Sequence, residues 1–156
     1  MSGPKTVDEK KAFMDGIWAT KDSLNAEGWS RHIHPKVELH SYDGTVIVFK
    51  YVVDPKDCNL MGTLHGGAIA TLADNLTTYP IILEDRNLRA GVSTSLVVDY
   101  ASAPKPGEAV YIECKADKIG KHLGFSTAIF RNEKGELIAK ASHTKFMGVG
   151  PQTAKL

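Results

Sequence analysis

The segment from Asn59 to Asp74 contains the residue types from which an acyl-transfer site could be built. The triplet His65-Gly66-Gly67 opens an apolar helical run, and glycines at a helix start let another molecule approach the backbone because no Cβ is in the way. The first N–H groups of a helix have no internal partner and carry the positive end of the helix dipole, so they can stabilise a carbonyl oxygen that becomes negative. Asp74 lies on the same run and could act as a base. Together these features indicate an enzyme that acts on an acyl group.

The spacing of Gly67 and Asp74 also bears on how such a site could be assembled. The seven helical steps from Gly67 to Asp74 correspond to nearly two turns, so both residues lie on nearly the same stripe of the predicted helix. They are nevertheless separated by about 10.5 Å along the axis, whereas a carbonyl oxygen and the water that attacks its carbon must lie within a few ångström. Two copies of the helix, each contributing one of the residues, would close this gap. The spacing therefore favours a site that is shared between two chains.

The elements that must position these residues include two predicted helices. The capping-box pattern that begins at Thr6 starts an amphipathic helix, which we expect to end near residues 25–28. The central helix is predicted over about 65–84. Pro80 lies inside it and should kink the helix or end its regular part near Tyr79.

The remaining elements are predicted to be strands. Period-two alternation of apolar and polar residues indicates strands with one buried and one exposed face, and Asp43-Gly44 and Asn132–Gly135 are signals of hairpin turns. The predicted strands are residues 37–42, 45–53, 91–101, 108–118, 122–131 and 136–148. A single buried helix wrapped by an antiparallel sheet is an α+β arrangement.

Length and composition exclude several classes of protein. A chain of 156 residues is sufficient for one domain, here residues 1–156 with a loose tail at 1–6. Apolar residues make up 42%, and a net charge of +1 gives no reason to expect a nucleic-acid partner. Cys58 and Cys114 do not form a disulfide framework, and no run approaches the roughly 18 apolar residues of a membrane span. We expect an intracellular protein, cytoplasmic by default, with a mitochondrial location left open.

A set of motifs extends from Asp54 to Met147, most of the chain. The motifs are Asn59-x-x-Gly62-Thr-Leu-His65-Gly-Gly67, Asp74-Asn75, Gly91-Val-Ser93, Tyr100 with the turn Pro104–Gly107, Lys118-x-Gly120-Lys121, and His143-Thr-Lys145. The set resembles the hotdog-fold acyl-CoA thioesterases of the PaaI-like and thioesterase-superfamily-member type, within the 4-hydroxybenzoyl-CoA thioesterase superfamily. The resemblance implies an antiparallel sheet wrapped around a long central helix and hydrolysis of an acyl-CoA to a free acid and coenzyme A. It also implies a homodimer or homotetramer, and no cofactor or metal, since coenzyme A enters as part of the substrate.

The same resemblance implies a catalytic role for five residues. Asp74 would be the general base or nucleophile, and a carboxylate in an apolar setting gains basicity. Gly67 would donate its N–H to the thioester carbonyl, and Asn59 would position the water or the thioester. His65 would orient the loop or bind near the carbonyl, with a purely structural role as the alternative. Ser93 would help to hold the water, with a cross-strand hydroxyl pair as the alternative.

Five further residues are implied to bind coenzyme A. Lys118, Lys121 and Lys145 would contact its phosphates as charged donors. Tyr100 and Gly120 belong to the motifs beside them. The alternative for the lysines is a solvated hairpin tip.

Competing chemistries fit the sequence less well. Cys58 near His65 lacks the orienting partner of a nucleophilic pair. His65 and Asp74 lie on opposite sides of the helix, because nine steps of ~100° end half a turn away, and this argues against a metal site and against a hydratase or dehydratase pair. His32-x-His34 is interpreted as a solvated loop. A non-catalytic module that binds acyl-CoA remains an alternative, because fold alone does not exclude it.

Overall fold

The structure, a computed structural model, describes residues 3–4, 6–24 and 27–148. The helices are α1 (Val7–Ala19), α2 (Lys21–Leu24), α3 (Gly66–Leu76) and α4 (Thr78–Glu84), with single 3₁₀ turns at His34–Lys36 and Pro55–Asp57. The strands are β1 (Val37–Tyr42), β2 (Ile47–Val52), β3 (Val92–Tyr100), β4 (Ala109–Ile119), β5 (Leu123–Asn132) and β6 (Leu137–Phe146). In the described ranges none of the helices is long and apolar enough to cross a membrane.

The described strands form one antiparallel sheet in the order β1-β2-β4-β5-β6-β3. Against its inner face, α3 packs on β3 and β6, and α4 packs on β4 and β5. The predicted alternation in β4 is confirmed, because Val110, Ile112 and Cys114 all point into the core and are 0% exposed. The predicted α+β arrangement of a sheet around a central helix is therefore confirmed.

The N-terminal segment differs in detail from the prediction. The capping box is present, since the Thr6 hydroxyl accepts from the Glu9 N–H and the Glu9 carboxylate accepts from the Thr6 N–H. The helix that begins there ends earlier than expected, at Ala19, and α2 follows; residues 25 and 26 lie outside the described ranges. In the predicted loose tail, residues 1, 2 and 5 are likewise outside them, but the N–H of Gly3 donates to the carbonyl of Arg86 (2.8 Å).

The central helix is interrupted between α3 and α4 at Thr77, two residues before the expected Tyr79. Pro80 is the third residue of α4, where it has no N–H for the carbonyl of Leu76 and where its ring would clash with that carbonyl in a continuous helix. The Thr77 N–H and hydroxyl both lie within hydrogen-bond distance of the Ala73 carbonyl (3.2 and 2.6 Å). The proline therefore displaces the break to the preceding turn.

The interpretation of His32-x-His34 as a solvated loop is wrong for His34. Its side chain is 1% exposed and lies among aromatic rings, with the Trp18 ring centroid at 5.6 Å and the Tyr79 hydroxyl 2.9 Å from Nε2. His32 is exposed as expected. The chain buries His34 because α1 brings Trp18 over the start of α4, a contact that the local sequence does not reveal.

Burial, with a smaller contribution from Lys21, lowers the pKa of His34 to about 4 from 6.5. Between these two pH values the unfolded chain binds a proton that the folded chain excludes, so the free energy of unfolding should be complete above about pH 6.5 and fall as the pH decreases toward 4. The loss from this residue should reach about 3 kcal/mol. Urea unfolding across this pH range measures it. His34→Gln should flatten the dependence, and the exposed His32→Gln should not; equal slopes for both variants would contradict the assignment.

Candidate active site

The loop before α3 is held by the side chain of Asn59. Its Oδ1 accepts from the Met61 and Thr63 N–H groups (2.9 and 3.3 Å), and its Nδ2 donates to the Thr63 hydroxyl (3.0 Å). Gly62 adopts a positive φ of 75° within this turn. In the described chain, Asn59 therefore shapes the loop that leads to His65.

His65 is the N-cap of α3. Its Nδ1 accepts from the Gly67 N–H (2.8 Å), and its own N–H donates to the Asp57 carbonyl (2.9 Å). An N-cap side chain ordinarily accepts a hydrogen bond from the N–H of the second or third residue of the helix, and Gly67 is the second residue of α3. The N–H that the sequence assigned to the thioester oxygen is thus already paired. Among the described residues the structure gives no acceptor to the N–H of Gly66, which is the amide that remains available.

Tyr100 supports the same helix start from the end of β3. Its hydroxyl donates to the Gly66 carbonyl (3.0 Å), and its ring would lie 3.4 Å from a Cβ at Gly66. The side chain is 54% exposed. Glycine at this position lets the ring lie close to the backbone, while the Gly66 N–H has no acceptor in the part of the chain that the structure describes.

Asp74 lies slightly more than two turns after Gly66 on α3, in contact with β3 and β6. Its Oδ1 accepts from the Ser93 hydroxyl (2.8 Å), and Nε2 of His143 lies 3.0 Å from Ser93 Oγ and 3.3 Å from Asp74 Oδ1. The Asp74 side chain is 45% exposed, whereas that of His143 is 0% exposed. The structure therefore brings Asp74 and Ser93 together, and it places Asp74 at an open polar cluster instead of the apolar setting that we expected.

His143 is the site residue that the sequence did not identify. It was noted only as part of a motif, although the alternation of β6 places it on the inner face with Ala139 and Ala141, where an imidazole needs a partner. Burial, then the charge of Lys145, lowers the pKa of His143 to about 4, and Asp74 opposes the shift. The imidazole is therefore neutral at neutral pH.

Lys145 occupies a different environment from that expected of a phosphate-binding residue. The residue is 6% exposed, its ammonium donates to the Thr78 hydroxyl (2.7 Å), and burial lowers its pKa. Lys118 and Lys121 are exposed at the β4–β5 turn, which the Gly120 N–H closes on the Leu123 carbonyl (2.8 Å). Of the three lysines predicted to bind phosphate, Lys118 and Lys121 have the exposure that a phosphate ligand requires and Lys145 does not.

The candidate residues thus form two groups at opposite ends of α3. One contains Asn59, His65, Gly66 and Tyr100, and the other is centred on Asp74. Eight helical steps from Gly66 to Asp74 correspond to about 12 Å. Within the described ranges no three His, Cys, Asp or Glu side chains come together as a metal site would require.

Comparisons with known proteins identify the family. Residues 61–139 match the family model of the thioesterase superfamily. Acyl-coenzyme A thioesterase 13 of Homo sapiens is 36% identical over 114 residues, which cover 72% of this chain and 81% of that protein. The chain belongs to the thioesterase superfamily, and the family resemblance is confirmed.

Solved structures agree with this assignment. Thioesterase superfamily member 2 from zebra fish superposes with a TM-score of 0.79 at 32% identity, covering 86% of this chain and 97% of that chain. The protein of the same name from Mus musculus gives a TM-score of 0.70 at 29% identity, covering 93% and 99%. The predicted hotdog fold is confirmed.

The N-cap assignment of His65 is testable by unfolding. His65→Ala should lower the free energy of unfolding by about 1 kcal/mol, because the Gly67 N–H loses its acceptor. His65→Asp should recover most of this loss, since a short carboxylate caps helix N-termini well. Chemical denaturation of the three proteins measures the effect; equal stabilities of the Ala and Asp variants would show that capping is not what His65 contributes.

Proposed function

We propose that this protein hydrolyses the thioester of an acyl-CoA to a free acid and coenzyme A. The observation that carries the proposal is the Asp74 carboxylate, which is 45% exposed, with one oxygen held by Ser93 above a buried His143. Membership in the thioesterase superfamily and 36% identity to an acyl-coenzyme A thioesterase support the substrate class.

The proposed reaction begins with water held near Asp74. Asp74 accepts the proton of this water as its oxygen bonds to the thioester carbon, and the resulting oxyanion is stabilised by the free Gly66 N–H at the positive end of α3. The tetrahedral species then collapses, the carbon–sulfur bond breaks, and coenzyme A leaves as the thiolate. Gly66 replaces Gly67 as the proposed oxyanion donor because the Gly67 N–H is occupied by His65.

The proposed active site is shared by two copies of the chain. Gly66 and Asp74 are about 12 Å apart along one helix, too far for both to act on one carbonyl group. β3, which carries Ser93 at one end and Tyr100 at the other, is an edge strand of the described sheet, and most of its residues are exposed. An exposed edge strand is suited to pairing with another chain. We therefore propose a homodimer, or a tetramer of two such dimers, in which Gly66 of one copy faces Asp74 of the other.

We propose that coenzyme A binds between the β4–β5 turn of one copy and Tyr100 of the other, because within one chain the turn lies at the Ser93 end of β3 and Tyr100 at the opposite end. Lys118 and Lys121 are exposed at this turn and carry the charge that phosphates require. Gly120 closes the turn, so its role in binding is indirect. The buried Lys145 is not part of this proposed surface.

A hydratase or dehydratase is less compatible with the geometry. His143 does lie beside Asp74, which the sequence argument based on His65 did not foresee. Its side chain, however, is 0% exposed and lies behind Ser93, so it cannot transfer a proton directly to a substrate on the open side. In the cluster of Asp74, Ser93 and His143 within one chain, Asp74 is the titratable side chain that is open to a substrate, as hydrolysis by general base catalysis requires.

Asp74→Asn separates hydrolysis from binding. It should lower kcat by about 10²–10⁴-fold, since the amide cannot accept the proton of water. Coenzyme A affinity should stay close to that of the wild type. Steady-state release of free thiol across a panel of acyl-CoAs and calorimetric titration with coenzyme A measure the two quantities. Asp15→Asn, an exposed position on α1, is the matched control. Near wild-type turnover by Asp74→Asn would refute the assignment of the base, and a wild type that binds acyl-CoA without turnover would favour the binding module.

Subunit complementation tests the shared site. Gly66→Pro removes the free N–H at the first helical position, where proline is tolerated, and Gly66→Ala retains it as the control. Gly66→Pro and Asp74→Asn proteins should each be nearly inactive. When they are unfolded together and refolded, random pairing makes half of the dimers mixed, and one of the two sites in each mixed dimer is intact. About a quarter of the wild-type activity should return.

The outcome depends on where the two residues meet. If Gly66 and Asp74 of a single chain formed the site, every site in a mixed dimer would keep one defect. Activity that stays at the sum of the two parents, with mixed dimers verified by mass spectrometry, would therefore refute sharing.

A further inference from the structure

A buried chain of hydrogen-bonding groups runs from the helix break to Asp74. The Thr77 hydroxyl lies 2.6 Å from the Ala73 carbonyl and 2.7 Å from Nδ1 of His143. Nε2 of His143 lies 3.0 Å from Ser93 Oγ, which lies 2.8 Å from Asp74 Oδ1. These short contacts, which are all between described residues, connect the backbone of α3 to the proposed catalytic carboxylate.

The hydrogens available do not fill all of these contacts. With the imidazole neutral, the chain has a hydrogen on Thr77, one on His143 and one on Ser93, for the four contacts between described atoms given above. One contact must therefore go unfilled, and the identity of that contact decides which ring nitrogen of His143 carries the hydrogen.

The contact between Thr77 and Ala73 is the one that can be given up. When the Thr77 hydrogen points to His143, the Thr77 and Ala73 oxygens face each other at 2.6 Å, but both groups are neutral and the Ala73 carbonyl keeps the Thr77 N–H as a donor (3.2 Å). The contact between Ser93 and Asp74 cannot be given up, because an ionised carboxylate 2.8 Å from an oxygen that offers only lone pairs is repelled. The Ser93 hydrogen therefore points to Asp74. A bare Nε2 would then face the lone pairs of Ser93 Oγ at 3.0 Å and of the ionised Asp74 Oδ1 at 3.3 Å, so the hydrogen between Ser93 and His143 comes from Nε2.

We propose that His143 is a positioning residue that acts on Asp74 through Ser93. In its Nε2–H form it donates to Ser93 and accepts at Nδ1 from Thr77, so the Ser93 hydroxyl can donate only to Asp74 Oδ1. This fixes the rotamer of the carboxylate and leaves its second oxygen for the attacking water. The expected effect on hydrolysis rests on the proposed function. The position of the hydrogen on His143 is independent of it.

Two substitutions of His143 differ in which ring nitrogen they replace. The amide nitrogen of Gln lies as many bonds from Cα as Nε2, so His143→Gln can still donate to Ser93. The amide nitrogen of Asn corresponds to Nδ1, so His143→Asn cannot reach Ser93. His143→Gln should keep kcat within about 5-fold of the wild type, and His143→Asn should lower it by about 10²-fold with KM nearly unchanged, because a misplaced catalytic group costs rate without affecting uniform binding.

The Ser93→Ala background tests the path of action. If His143 acts through Ser93, the two His143 variants should have the same kcat once the hydroxyl is absent. If His143 only served packing, His143→Asn and His143→Gln would also differ in their unfolding midpoints. Their difference in kcat would then remain in the Ser93→Ala background. Equal losses for Gln and Asn, or a Gln–Asn difference that survives in Ser93→Ala, would overturn the proposal.

A direct measurement of the hydrogen is independent of turnover. Long-range ¹H–¹⁵N correlation spectra of the ¹⁵N-histidine-labelled wild type distinguish the two neutral forms of an imidazole, and His143→Gln identifies the signal of His143. We expect the Nε2–H form at neutral pH, and an Nδ1–H form would overturn the inference. A wild type that hydrolyses no acyl-CoA would refute the proposed function, while these spectra would still decide the arrangement of the hydrogen bonds.

Discussion

Pro80 has no N–H to offer the Leu76 carbonyl, and in a continuous helix its ring would collide with that carbonyl. The break that results separates α3, which packs on β3 and β6, from α4, which packs on β4 and β5. It also places Thr77 and Thr78 side by side, where their hydroxyls lie 2.7 Å from His143 and from Lys145 of β6. The helix break that Pro80 causes thus supplies hydroxyl partners on the helix for the two polar side chains of β6, His143 and Lys145. The arrangement around Asp74 depends on it.

The two ends of α3 present complementary halves of one chemistry. At the N-terminus, His65 caps Gly67 and leaves the Gly66 amide unpaired, so the end of the helix can stabilise negative charge. Slightly more than two turns after Gly66, Asp74 is held by Ser93 from β3. One rigid helix cannot bring these ends together, whereas a second copy packed against the edge formed by β3 could. The proposed pairing of two copies would also cover this exposed edge strand, which without a partner is prone to aggregate.

Local sequence patterns predicted the strands and turns of the fold well, but they did not predict the side-chain contacts of the site. Alternation along β4 and the turn at Asp43-Gly44 placed strands correctly, because both signals lie within a few residues. Gly67 was assigned the free N–H from the family resemblance, and only the structure shows that Nδ1 of His65, a residue type that is not a common N-cap, accepts from that amide. His143 went unassigned because its partner Thr77 is 66 residues away. His34 was taken as solvated because nothing nearby in the sequence places Trp18 against it.

The charges around His143 also decide which group is the base. An imidazole is the commonest general base in enzymes, and this one lies 3.3 Å from a carboxylate that favours its protonation. Burial and the ammonium of Lys145 outweigh that carboxylate and lower the pKa of His143 to about 4. A ring with so little affinity for a proton is a weak base, and the nitrogen that faces Ser93 is needed as a donor. Asp74 is exposed and keeps one carboxylate oxygen unengaged by Ser93. In the proposed reaction the proton of the attacking water therefore goes to Asp74, and the proposed role of His143 is to keep the direction of one hydrogen bond fixed.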